Sequence, residues 1–181
     1  MLKITIPPAE LYNEEKNEFR YTKETTLQLE HSLVSVSKWE AKYKKSFINT
    51  KERTPQESLY YIKCMTITQN VPDEVYAGLT QEIVDTINKY IDDPMTATTF
   101  SKQQQGKGPG KEIITSELIY YWMISLQIPL ECQKWHLNRL LTLINVCNIK
   151  NTPSKEMSKS ELYSRNKALN AARKARYHTH G

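Results

Sequence analysis

The chain has 181 residues, of which 39% are hydrophobic and 25% charged, so it is long enough to bury a core without disulfide or metal staples. Its three cysteines, Cys64, Cys132 and Cys147, are far apart and form no CxxC or Cys/His pattern, which excludes a disulfide-built secreted scaffold and a zinc module. The net charge of +5 is uneven: residues 150–181 carry eight Lys or Arg against two Glu, a balance of +6 that leaves residues 1–149 at −1 and excludes nucleic-acid affinity spread over the whole chain.

The N-terminal MLKITIPPAEL has no apolar run of signal-peptide length. Leu2, Ile4 and Ile6 alternate with Lys3 and Thr5, the period of a half-buried strand, which Pro7 and Pro8 end. Leu11-Tyr12, a polar turn over residues 13–17, and Phe19-Arg20-Tyr21 read as a hairpin; residues 25–30 alternate again. A small antiparallel sheet therefore occupies residues 1–30.

Helices follow. Leu33, Val36, Trp39 and Tyr43 fall on one face of a helix over residues 31–43. Thr54-Pro55-Gln56-Glu57 has the N-cap, N1 proline and N3 glutamate of a capping box, opening a helix to about Thr68. Pro72-Asp73-Glu74 opens a short helical turn, and Thr80 caps another helix with Ile83, Ile87, Tyr90 and Ile91 on its apolar face. Residues 95–100 are threonine-rich and extended. Residues 101–110 hold three of the five glycines and read as a mobile loop; a phosphate-cradling loop is rejected because the GxxxxGK[ST] spacing is missing.

Residues 113–126 are expected to form a helix that Pro129 breaks. Residues 131–146, with Trp135, Leu137, Leu140, Leu141, Ile144 and Val146, form the densest helix, expected to pack antiparallel on the one before. The apolar run over 113–130 is interrupted by Thr115, Ser116, Glu117, Ser125 and Gln127, so it is no membrane span. A polar linker with Pro153 leads to Ser158-Lys159-Ser160-Glu161, a capping-box pattern, and a last helix to about Tyr177 with a narrow apolar stripe and basic flanks. The fold class is mainly α (α+β). A small N-terminal β-sheet (1–30) precedes a helical body (31–149) and a linker with a basic C-terminal helix (150–181).

Candidate chemistry is sparse. His178 and His180 flank one threonine at the C-terminus, and a metal pair there ranks below terminal disorder. His136 beside Trp135 reads as a buried, hydrogen-bonded histidine. Cys132 lies four residues before His136, yet no nucleophile elbow accompanies them. Asp92-Asp93 before Pro94 reads as a helix-ending acidic turn. The sequence offers no catalytic residue, metal-ligand set or cofactor motif. The basic tail has two uses, phosphate backbones or an acidic protein surface. With only Tyr163 and Tyr177 available for base stacking, protein docking ranks first.

Two stretches carry a family resemblance. They are ELIYYWM over 117–123 with IPLECQKWHLNRLLTLI over 128–144, and SRNKALNAARK over 164–174. Together they resemble the tail assembly chaperones of long-tailed phages, encoded upstream of the tape-measure protein. The likeness covers residues 112–181, and the MLKITIP opening and the MTATTF segment share it less specifically. It implies a virus-encoded, non-catalytic protein of the host cell cytoplasm, absent from the mature virion. Its partners would be the tape-measure protein, further copies of itself and the tail tube protein. In that family a frameshift often yields a longer form, and the linker lies where such a junction would fall. The partner-binding residues expected on this reading are Trp122, Trp135, Arg139, Arg165, Arg173, Lys174 and Arg176. The alternatives are a virion structural protein of the neck or tail and, behind it, a nucleic-acid-binding protein acting through the basic helix.

Overall fold

The computed structural model of the protein describes residues 1–13, 18–100, 113–151 and 159–177. The glycine-rich loop, the turn residues 14–17, residues 152–158 of the linker and the terminal His178 and His180 lie outside the described residues. The chain divides into two compact units, Met1–Ile149 and Lys150–Gly181. It is mainly helical with a small antiparallel β part.

In the first unit, strand β1 (Leu2–Ile6) pairs with β4 (Thr25–Leu29), and β2 (Ala9–Asn13) pairs with β3 (Glu18–Thr22). Both ladders keep one register, since partner numbers sum to 31 from Leu2↔Leu29 to Asn13↔Glu18. The four strands are therefore one long hairpin interrupted at Pro7 and Pro8, whose ring nitrogens have no hydrogen to donate. At its base Ile4, Ile6, Leu27 and Leu29 face the core, while Thr5 and Thr26 share a hydroxyl hydrogen bond of 3.2 Å on the other face. Beyond the prolines Tyr12 and Phe19 sit directly opposite each other, rings 5.0 Å apart, and both are exposed. The free edge of β4 is covered: the Glu30 amide donates to the Met65 carbonyl (2.9 Å) and the Ile67 amide to that of Gln28 (2.8 Å). A 3-10 turn, Asp73–Gly78, lies against the break in the hairpin. A Cβ added at Gly78 would stand 2.9 Å from Ile6 Cγ2, so only glycine fits there without a shift.

Helix α1 (Leu33–Tyr43) starts after Ser32, whose hydroxyl accepts from the Ser35 amide (3.3 Å). Helix α2 (Pro55–Met65) has the full capping box: the Glu57 amide donates to Thr54 Oγ1 (3.2 Å) and the Thr54 amide to Glu57 Oε2 (2.9 Å). Helix α3 (Gln81–Asp92) is capped by Thr80 and helix α4 (Ser116–Ser125) by Thr115. A 3-10 turn over Leu130–Lys134 precedes α5 (Leu137–Asn151). One core joins the hairpin base to the helices. At its centre Trp39 is fully buried and donates from Nε1 to the Glu57 carbonyl (2.9 Å). Phe47 and Tyr61 pack at 4.0 Å, with the Arg53 guanidinium 3.8 Å over the Phe47 ring. The buried Glu40 carboxylate accepts from the Phe47 amide (2.8 Å) and, with its other oxygen, from the Ser116 amide (2.7 Å). The second bond places a negative charge at the first turn of α4, where the helix dipole favours it.

Three sequence expectations change. Helix α4 starts at Ser116 rather than residue 113 and ends close to the expected residue 126, but its stop is a left-handed residue, Gln127 (φ 55°), ahead of Pro129, and the Ile128 amide reaches back to the Met123 carbonyl (2.8 Å). Its main helix neighbour is α1 rather than an antiparallel α5. The helix expected over 131–146 is two elements. Trp135, at φ −71° and ψ 164°, is extended backbone between the 3-10 turn and α5, so it does not sit on the dense helix among Leu137, Leu140 and Leu141.

The second unit holds α6 (Lys159–Tyr177), on which Tyr163, Leu169 and Tyr177 are exposed and Arg176 lies 5.8 Å from the Tyr177 ring. Among the described residues, no helix is long and apolar enough to cross a membrane.

Candidate functional site

The break before α5 is made by a distant segment. Ser32 and His136 form an isolated antiparallel bridge, and the Leu137 amide donates to the His31 carbonyl (2.7 Å). An amide committed to His31 cannot continue a helix from residue 133, so the helix restarts at Leu137 and leaves Trp135 at the surface, half-buried. Arg139, four residues on and exposed, then lays its guanidinium 4.4 Å from the centre of the Trp135 ring.

This pair stands at a cleft of about 250 Å³ that Lys134, Met95, Tyr90 and Glu30 also line. Its floor is a buried polar network. His136 Nε2–H donates to the Tyr90 carbonyl (2.9 Å) and Nδ1 accepts from the Asn138 amide (3.3 Å), which assigns the neutral tautomer. The Asn138 side chain donates to the carbonyls of Ile91 (2.9 Å) and Asp93 (2.8 Å), satisfying the last turn of α3 and stapling it to the first turn of α5. The Tyr90 hydroxyl donates to Glu30 Oε1 (2.6 Å), and burial with the Glu30 carboxylate pushes the phenol well above its ordinary value. The other Glu30 oxygen pairs with the Met1 amino group at 3.0 Å. Behind His136, the His31 ring lies 5.0 Å away and hydrogen-bonds Tyr61. Burial, reinforced by His136 and Arg53, pushes the His31 imidazole down to about 3.

The structure thus brings Trp135 and Arg139 together. Trp122 is half-buried on α4 and does not line the cleft. Arg165, Arg173, Lys174 and Arg176 are exposed on α6, in the other unit. His136 is buried and hydrogen-bonded, as its sequence setting led us to expect. Cys132 is buried in the 3-10 turn and shares no helix with His136. Among the described residues, no three His, Cys, Asp or Glu side chains gather as a metal site would.

Sequence reasoning passed over two features. Lys134 went unremarked although it adjoins Trp135. The outward side of α4 was hidden by the density of its apolar residues. Ile119 and Met123 are buried, but Tyr121 and Ile124 on the opposite side are 63% and 67% exposed, and Leu130 beyond them is 53% exposed. The signal was present: Glu117 is the only charged residue in the helix, so a one-sided packing had to leave an apolar face in water. No protein-family model, curated protein or solved structure matches the chain.

Proposed function

We propose that the chain is a non-catalytic assembly chaperone that keeps a long, apolar, helical partner soluble, in the manner of a phage tail chaperone and its tape-measure protein. The outward face of α4 carries this reading. A helix apolar all round belongs in an interior, and here Tyr121 and Ile124, one turn apart, are left uncovered by the described residues. An amphipathic helix laid across them would bury its own apolar stripe. The charges bracketing the face along the chain are Glu117 and Glu131, which suits a partner with lysine or arginine beside its stripe. The basic helix α6 adds steering over a distance set by screening, about 8 Å at physiological ionic strength. Host-cell cytoplasm is the compartment this role requires, with self-association and the tail tube protein as further contacts.

The test is co-expression with the tape-measure protein. The partner is expected to stay soluble and co-purify through moderate salt, and the double change Tyr121→Ser with Ile124→Ser to send it to the pellet while this chain keeps its melting temperature. Failure to co-purify overturns the reading. Stoichiometric retention in mature particles replaces it with a structural role in the neck or tail.

A further inference from the structure

We infer that the Trp135–Arg139 cleft is a carboxylate-recognition site, which takes one acidic side chain of a bound polypeptide. The inference rests on the reading that the body binds a protein, but on different residues from those of α4.

The cleft, about 250 Å³, falls below the size of a cofactor site and fits a single side chain. Its charges are unbalanced. Glu30, the carboxylate in its lining, is engaged by both the Tyr90 hydroxyl and the Met1 amino group. Lys134 and Arg139 have no carboxylate partner among the described residues. The Arg139 guanidinium is held over the indole of Trp135 at 4.4 Å, which limits its rotamers while its N–H groups remain available at the edge. A stacked, preoriented guanidinium is the group that binds a planar carboxylate through two parallel hydrogen bonds. Trp135 and Met95 supply apolar wall for the methylenes of a glutamate or aspartate.

A nucleic-acid strand is the competing occupant, and the surroundings oppose it. Helix α3 ends at Asp92 and is followed by its C-cap Asp93, both exposed. The Asp93 carbonyl is tied to Asn138, the neighbour of Arg139, and its carboxylate to the amide of Met95. A phosphate backbone leaving the cleft in that direction meets two carboxylates, whereas a lone side chain entering from a helix does not.

Two short helical peptides, blocked at both ends and identical except for one Glu or Gln between two leucines, test this by NMR titration of the full chain. The Glu peptide is expected to shift the Trp135 indole N–H saturably in the millimolar range, and the Gln peptide to leave it in place. Arg139→Gln is expected to abolish the shift, and Arg139→Lys, which keeps the charge but loses the planar fork, to fail to restore it. Unchanged dispersion of the remaining resonances shows that each variant is folded. Equal shifts from both peptides, no shift from either, or a larger shift from a single-stranded oligonucleotide at equal concentration overturns the assignment. Each result is read without the tape-measure protein, so it is independent of the co-purification test.

Discussion

The hairpin-and-helix body and the C-terminal helix are built on opposite terms. In the body most polar groups drawn inside have partners of defined geometry, Arg53 Nε being an exception: Glu40 accepts from two backbone amides, Trp39 meets the Glu57 carbonyl, and His136 holds Tyr90 and Asn138. On α6 the described side chains are exposed, and its alanines are scattered among cations and other polar residues. An isolated helix of that kind is marginal in water, and burial of an apolar face is what normally holds a helix in a protein. The difference teaches that stability and reach are separated along this chain. The body holds the fold, and α6 carries charge.

That contrast is broken most directly at Trp39. Trp39→Ala removes a fully buried indole and leaves the Glu57 carbonyl without its donor, and is expected to cost about 3–5 kcal/mol in denaturant unfolding. Trp135→Ala is expected to cost less, because that ring is only partly buried and packs at the margin of the core. Equal losses at the two positions would show that the cleft belongs to the core.

A smaller effect comes from pH. The imidazole of His31 is lowered from 6.5 to about 3 in the folded chain, so between those values the unfolded chain binds the extra proton. Stability contributed by neutral His31 is complete above pH 6.5 and is lost as pH falls, by up to about 1.4 kcal/mol per pH unit. Chemical unfolding between pH 6.5 and 5, above the range where most carboxylates titrate, is expected to show this slope in the native sequence and a flatter one in His31→Gln. A slope unchanged by the substitution would place the titration elsewhere.

The smallest effect sharpens the comparison from the other side. A chain ending at Asn151, the last residue of α5, is expected to unfold within about 0.5 kcal/mol of the full chain, the range typical of changes away from a core. A cooperative loss of stability on that truncation would make α6 part of the body.

Much of this architecture could be read from residue order. The period-2 alternation of Leu2, Ile4 and Ile6 and the Thr54-Pro55-Glu57 start are local signals, and local signals survive folding unchanged. What was hidden is non-local. Nothing between residues 128 and 140 announces that the His31 carbonyl will claim the Leu137 amide, and apolar periodicity runs straight through the break. Gln127 ends α4 in a conformation usual for glycine, so its stop signal is missing from the sequence and Pro129 took the credit. Glu40 looks like any helix-surface glutamate until Ser116 arrives. Of the candidate cleft, Trp135 and Arg139 were legible only as two of seven expected partner-binding residues. Their stacking was not, because it depends on where the helix restarts.

The Ser32–His136 bridge also sets an order of events during synthesis. The hairpin pairs residues that all emerge within the first 29, so its ladder can close while most of the chain is still unmade. His31 and Ser32 must then wait for residues 136 and 137. At about 5–20 residues per second that delay lasts roughly 5–20 seconds. Until it ends, α5 has no anchored start and Arg139 no stacked neighbour. The cleft is therefore a late product of translation, and a polypeptide that requires it meets only chains whose hairpin and helices α1 to α4 have already been made.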